Sequence, residues 1–237
     1  MTELSKENKE FLFALCLGDG YLTRPLGNKN VALECGHSIK QLEYLTWKRD
    51  KVFEILGGFK PSKIGIRKIC LKSNGQTYDS CRFSKAHPYF SYLRKILYVN
   101  NVKFITEQSL DLLSPQGLAI WFMDDGWGFN IKNRKGELTD RMCLGISTDS
   151  FSKEENEIIA KVIFERFGIK FHINCKYSPC GEHKKLWFLR TTSKEQTQKF
   201  IELIKPYMHP SMLYKIQNKN LIKSHECDTP IEGEDIV

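Results

Sequence analysis

A nine-residue pattern occurs twice in this chain of 237 residues, about one small domain apart. The first copy, LFALCLGDG, runs from Leu12 to Gly20, and the second, LAIWFMDDG, from Leu118 to Gly126. Each is an apolar helical run that ends in an acid followed by glycine, so Asp19 and Asp125 hold the same place. A hydrophobic helix with a carboxylate at its exposed end delivers that charge to a site without burying it. Two such helices packed side by side deliver two carboxylates to one site. Paired hard oxygen donors are what divalent-metal-assisted phosphodiester hydrolysis requires. A single Asp-Gly after a helix merely ends it; two at matched ends of repeated helices point to chemistry.

The repetition extends beyond these segments. Asp19 and Asp125 lie 106 residues apart, FEILGGFK (Phe53 to Lys60) parallels IFERFGIK (Ile163 to Lys170), and Gly58 and Gly168 are offset by 110. Ser84-Lys85 parallels Ser193-Lys194 at 109, and Phe90 parallels Phe200 at 110. A nearly constant offset over four pairs predicts two copies of one fold. We divide the chain into repeats at 1–105 and 117–224, a linker at 106–116 and an acidic, frayed tail at 225–237.

Within each copy the pattern predicts α+β structure, with an opening helix that ends at the motif acid. A second helix over Lys40–Leu56 buries Leu42, Leu45, Val52, Phe53 and Leu56 and stops at Gly57-Gly58. Its counterpart opens on a capping box, Ser152 and Glu155, and ends at Gly168. Closing helices are expected over Pro88–Tyr98 and Lys194–Tyr207. Strand signals fall near Val31–Gly36, Lys63–Lys72, Thr77–Ser84, Met142–Thr148, Lys170–Tyr177 and Lys185–Thr191. Phe171, Ile173, Cys175 and Tyr177 alternate with Lys170, His172, Asn174 and Lys176, and Tyr78, Ser80, Arg82 and Ser84 alternate with Cys81 and Phe83. That is the signature of strands with an apolar face on helices and a polar face in solvent.

The two motifs resemble those of LAGLIDADG homing endonucleases, and the spacing and second motif look most like the monomeric, double-motif type of the omega-intron enzymes. The resemblance implies two pseudo-symmetric αββαββα repeats, motif helices packed at the interface, and a saddle of antiparallel sheets on a long duplex site. It further implies that Asp19 and Asp125 bind divalent cations (Mg²⁺, with Mn²⁺ able to substitute) beside a neighbouring backbone carbonyl. Gly18 and Asp124 stand next to them; if Asp124 also faced the metals, the two half-sites would differ. The cations would generate the attacking hydroxide, and both strands would be cut across the minor groove to leave short 3′ overhangs. Lys103 and Lys215 follow the closing helices, 84 and 90 residues after their motif acids. They match lysines that stabilise charge on the phosphate in this family. Outward strand residues Lys63, Arg67, Tyr78, Arg82, Lys170, His172, Asn174, Lys176 and Arg190 are expected to contact DNA, since such side chains reach phosphates and base edges.

Charge agrees with a polyanionic partner. Net charge is +8, and five of the 28 acids lie in the last 13 residues, which hold no Lys or Arg. Residues 1–224 therefore carry 36 basic against 23 acidic side chains, an excess of +13. No run of about 18 apolar residues predicts a membrane span, and the first residues lack signal-peptide character. The expectation is an intracellular monomer, in a bacterial cytoplasm or an organelle such as the mitochondrion. The eight scattered cysteines read as reduced thiols, many of them buried; Cys175, Cys180 and His183 lack a completing ligand for zinc. No P-loop, Rossmann glycine pattern or nucleophile elbow is present. Trp127 reads as core packing. Two other functions remain open on one scaffold: an RNA maturase acting on intron RNA, and a DNA-binding regulator, which predicts lost acids or an added domain.

Overall fold

A computed structural model of the chain describes residues 4–25, 27, 29–57, 60–70, 75–178 and 185–217. Gly58, Cys180, His183 and the acidic tail at 225–237 lie outside the described residues. The first half runs α1 (Lys6–Leu17), β1 (Tyr21–Thr23), β2 (Ala32–Ser38), α2 (Leu42–Leu56), β3 (Gly65–Cys70), β4 (Thr77–Ala86) and α3 (Pro88–Leu97). A two-stranded hairpin, β5 (Tyr98–Val99) with β6 (Val102–Lys103), and a 3₁₀ turn over Gln108–Leu112 lead to the second half. There the order is α4 (Pro115–Asp125), β7 (Gly126–Lys132), β8 (Leu138–Ile146), α5 (Lys153–Phe167), β9 (His172–Tyr177), β10 (Lys185–Thr191) and α6 (Lys194–Ile204). Both halves thus have the order αββαββα, and their sheets have matching antiparallel topologies, β1-β2-β4-β3 and β7-β8-β10-β9.

Local chemistry sets the helix ends. The Ser5 hydroxyl accepts the Asn8 N–H at 3.2 Å to open α1, and the Ser114 hydroxyl accepts the Gly117 N–H at 3.1 Å, with Pro115 in the first turn of α4. The capping box forms in both directions: Glu155 N–H donates to the Ser152 hydroxyl at 3.2 Å, and Ser152 N–H donates to the Glu155 carboxylate at 2.7 Å. Helix α5 then ends at Gly168 in the left-handed region, φ +67°.

Helices α1 and α4 pack on each other at the centre of the molecule. Each buries seven consecutive residues, Phe11–Leu17 and Gly117–Met123, as befits a helix enclosed on all sides. Small residues meet at the seam: a Cβ on Gly117 would stand 3.5 Å from that of Ala14. Bulky neighbours on α4 turn into the second half's core, where the Phe122 ring meets Phe200 edge to face at 5.1 Å and Trp121 meets Phe151 at 6.5 Å.

Strands β1 and β7, directly after the motifs, pair with β2 and β8 and complete the αββαββα order, although β1's three residues carry no strong strand signal of their own. Two expectations need correction. Cys175 and Tyr177 do not lie under a helix; β9 projects past the core there, leaving Cys175 exposed and Tyr177 64% exposed. Trp127 lies across the sheet surface over Gly145, stacked on Phe129 at 5.7 Å, instead of in the core. Cys16, Cys35, Cys81 and Cys143 are buried free thiols, and Cys70 is an exposed one. Among the described residues no helix is long and apolar enough to cross a membrane.

Candidate active site at the motif-helix seam

The two motif helices end side by side, and their acids meet there. Burial pushes the Asp125 carboxyl up to about 7 from its usual 3.8, with the charges of Asp19 and Asp124 adding to the effect. Burial, then the charge of Asp124, pushes Asp19 up to about 6. Asp19 nonetheless keeps 36% of its side chain open to solvent. The Trp121 indole N–H donates to Asp125 Oδ2 at 3.1 Å from one helical turn back.

Both sequence-predicted lysines reach the motif-helix ends, from different elements. Lys103 stands on β6, delivered by a tight hairpin whose turn residues Asn100 and Asn101 have φ of +50° and +65°. Its Nζ donates to the carbonyls of Gly18 and Gly20 at 3.3 Å and Leu17 at 3.4 Å. Lys215, in the 3₁₀ turn Pro210–Lys215, donates to the carbonyls of Met123 at 2.6 Å and Asp124 at 3.0 Å. Burial holds both ammonium groups below their ordinary pKa, against the pull of the surrounding acids.

Asp124 takes a different course from the other acids. Its side chain is wholly buried and engaged on both oxygens: Oδ2 accepts the Asp19 N–H at 3.1 Å, and Oδ1 accepts the Tyr44 hydroxyl at 2.9 Å and an ion pair from Lys48. Lys48 is itself fully buried; burial opposes its charge, but Asp124, together with Cys35 and Asp19, outweighs this and raises its pKa. The Lys48 ammonium also lies 3.0 Å from His37 Nε2. The other His37 nitrogen, Nδ1, is 3.0 Å from Gln41 Oε1 and 3.4 Å from Asp19 Oδ2. Burial and then Lys48 depress His37 to about 4, so its imidazole is neutral near pH 7. The sequence reading missed Tyr44, Lys48 and His37. A lysine and a tyrosine on the otherwise apolar face of α2 were the available signal.

A groove of about 470 Å³ leads from Asp19 over the first sheet and brings Arg67, Tyr78 and Arg82 to its walls. A second groove, about 340 Å³, joins Lys63 to Arg82. On the other sheet, cross-strand pairing puts Arg190 opposite both His172 and Gly145, and Asn174 opposite Phe188, so these side chains share the face of Trp127. Lys170 is exposed just before β9, and Lys176 pairs with Asp149 at 2.7 Å. A larger cavity, about 690 Å³ beside Tyr89 and Tyr92, contains none of these groups.

The whole arrangement is similar to known proteins. The homing endonuclease I-WcaI, in a structure bound to its DNA recognition sequence, superposes with a TM-score of 0.71 at 25% identity over 92% of this chain and 89% of that one. A probable intron-encoded endonuclease 1 of Wickerhamomyces canadensis is 30% identical over 91% of this chain and 86% of its own. The cytochrome b mRNA maturase bI2 of Debaryomyces hansenii is 26% identical over 91% and 75%. The chain also matches Protein RecA of Mycolicibacterium flavescens at 30% identity over 90% of its length but spans only 47% of that relative. The model of the LAGLIDADG DNA endonuclease family matches residues 9–200. With two motif helices, two matching sheets and that match over most of its length, the chain belongs to the LAGLIDADG DNA endonuclease family.

Proposed function

We propose that this protein is a site-specific homing endonuclease that hydrolyses both strands of a long DNA site, leaving short 3′ overhangs. The observation that carries the proposal is the meeting of Asp19 and Asp125 at the α1–α4 seam, each with its carboxyl pushed up toward neutrality. Two crowded carboxyls, with the Lys103 and Lys215 ammoniums directed at carbonyls instead of at them, form a hard-oxygen donor set that, among the described residues, has no direct ion pair with Lys or Arg, which fits Mg²⁺ or Mn²⁺. Asp19 and Asp125 would hold a divalent cation, which when bound would supply an activated water and stabilise charge on the leaving 3′ oxygen. Lys103 and Lys215 hold their charge beside the helix ends, where they stabilise the anionic phosphate as it reacts. Repeats 1–105 and 117–224, joined by 106–116, each cover one half-site. Lys63, Arg67, Tyr78 and Arg82 serve the first half-site, and Lys170, His172, Asn174, Lys176 and Arg190 the second. The expected complex is a monomer on duplex DNA.

The test is in vitro selection: a randomised or host-locus DNA library is incubated with the protein and Mg²⁺, and cut ends are sequenced. Paired cuts with a constant short 3′ stagger, lost in Asp19→Asn and Asp125→Asn, are expected. The relative that is a maturase favours a second reading, in which the scaffold binds intron RNA and aids its splicing. Absence of cuts together with intact RNA binding would favour it.

A further inference from the structure

The residue before each motif acid differs: Gly18 in the first repeat, Asp124 in the second. The Asp124 carboxylate crosses the seam into the space that a Cβ on Gly18 would need, and there it accepts the Asp19 backbone N–H at 3.1 Å. Its other oxygen takes the Tyr44 hydroxyl at 2.9 Å and the Lys48 ammonium. The line then continues from Lys48 to His37 Nε2 at 3.0 Å, and from His37 Nδ1 to Asp19 Oδ2 at 3.4 Å. Asp19 is thus held at its backbone by Asp124 of the other repeat and approached at its side chain by His37 of its own.

Among the described residues, the second repeat has no counterpart. Helices α2 and α5 both have 15 residues and end at glycines with positive φ, Gly57 and Gly168; in that structural register, one residue off the 110-residue sequence offset, Lys48 takes the place of Ile159, a fully buried aliphatic side chain. Asp125 is held instead by Trp121 from its own helix. Buried ion pairs are seldom more stabilising than well-packed apolar side chains, because desolvation offsets the attraction. What a pair of this kind supplies is a fixed place. Asp19, His37 and Asp124 do have the spacing of a cation site, with donor atoms within 4.8 Å of one another. The Lys48 ammonium already serves as the cation against Asp124 and His37.

We infer that Lys48 and Asp124 are positioning residues, a buried strut across the two repeats that sets Asp19. Asp124 is then not a metal ligand, and the two strand-cutting centres are unequal, with only one dependent on the strut. This inference rests on the endonuclease reading for its effect on cleavage, but not for the strut itself.

The experiment follows nicking of each strand of the selected duplex, labelled separately, for the parent protein, Lys48→Met, Asp124→Asn and the milder Tyr44→Phe. One strand is expected to slow by roughly 10- to 100-fold, the effect of a misplaced reacting group. The other should change by less than about twofold, so that nicked duplex accumulates, with metal-free duplex binding retained. Thermal unfolding of Lys48→Met, Asp124→Leu and their combination gives a readout apart from activity. Each single change leaves a buried charge unpaired and should lower the melting temperature by roughly 10 °C, while the combination regains most of that loss. Equal slowing of both strands in folded variants would overturn the inference. So would additive losses in melting temperature, or loss of a Mg²⁺-induced rise in melting temperature in a folded Asp124→Asn protein. A parent protein that cuts neither strand would defeat the endonuclease reading, with the strut still decided by the unfolding cycle.

Discussion

At the scale of single residues, the seam leaves little room for change. Gly18 has no side chain because the Asp124 carboxylate occupies that volume. Gly18→Ala should therefore push Asp124 off Lys48 and Tyr44 and destabilise the protein by about 1–3 kcal/mol, the usual cost of overpacking. Chemical denaturation of the two proteins checks this; equal stability would show that the carboxylate can move aside freely. Gly117, whose Cβ would meet Ala14 and Ser114 at 3.5 Å, has ordinary contact distance and should tolerate alanine better. The contrast between the two glycines separates close approach in general from the specific seat of Asp124.

At the scale of elements, the candidate site groups are delivered by short, well-specified pieces. The β5–β6 hairpin places Lys103, and its turn needs two consecutive residues in the left-handed region. Asparagine tolerates that conformation where β-branched residues do not. The Asn101 side chain also accepts from the Arg94 guanidinium at 2.6 Å. Asn101→Val should cost about 1–2 kcal/mol in backbone strain, release Lys103 from the carbonyls of Gly18 and Gly20, and slow cleavage more than it weakens DNA binding. Asn101→Gly keeps the turn and should keep most of the rate. Single-turnover kinetics on the selected site distinguish these outcomes, and equal rates for all three proteins would mean that the hairpin does not place the lysine.

At the scale of the whole molecule, the central charges couple folding to pH and to metal. Asp19 and Asp125 titrate at about 6 and about 7 in the fold, against 3.8 ordinarily, so the native state retains protons that the unfolded chain has lost. Their contribution to stability is complete below pH 3.8 and is lost as pH rises through about 6 and about 7. His37 acts the other way: lowered from 6.5 to about 4, it favours the native state above pH 6.5 and loses that effect as pH falls through about 4. One histidine offsets one of the two carboxyls, so the metal-free protein should lose stability between pH 4 and pH 7. On the proposed reading a divalent cation would bind the ionised acids, so Mg²⁺ should raise the melting temperature more at pH 8 than at pH 5. Thermal scans with and without Mg²⁺ at both values test this, and a shift independent of pH would remove the two acids from the metal site.

Sequence by itself determined the double repeat, the apolar helices, the acids at their ends and the lysines that follow the closing helices. These are local signals: periodicity, an acid before glycine, a capping box at Ser152 and Glu155, a constant offset. Most strands were legible for the same reason, whereas β1 is three residues long and gains its order only from pairing with β2. Tertiary structure alone decided the fate of Asp124. Its neighbour in the chain, Asp125, stands at the site, while Asp124 turns into the first repeat to meet Tyr44, Lys48 and the Asp19 amide, groups 76 to 105 residues away. Two adjacent carboxylates look alike in a sequence. Burial and the charge that meets each one make them different, and both depend on which helix the fold brings alongside.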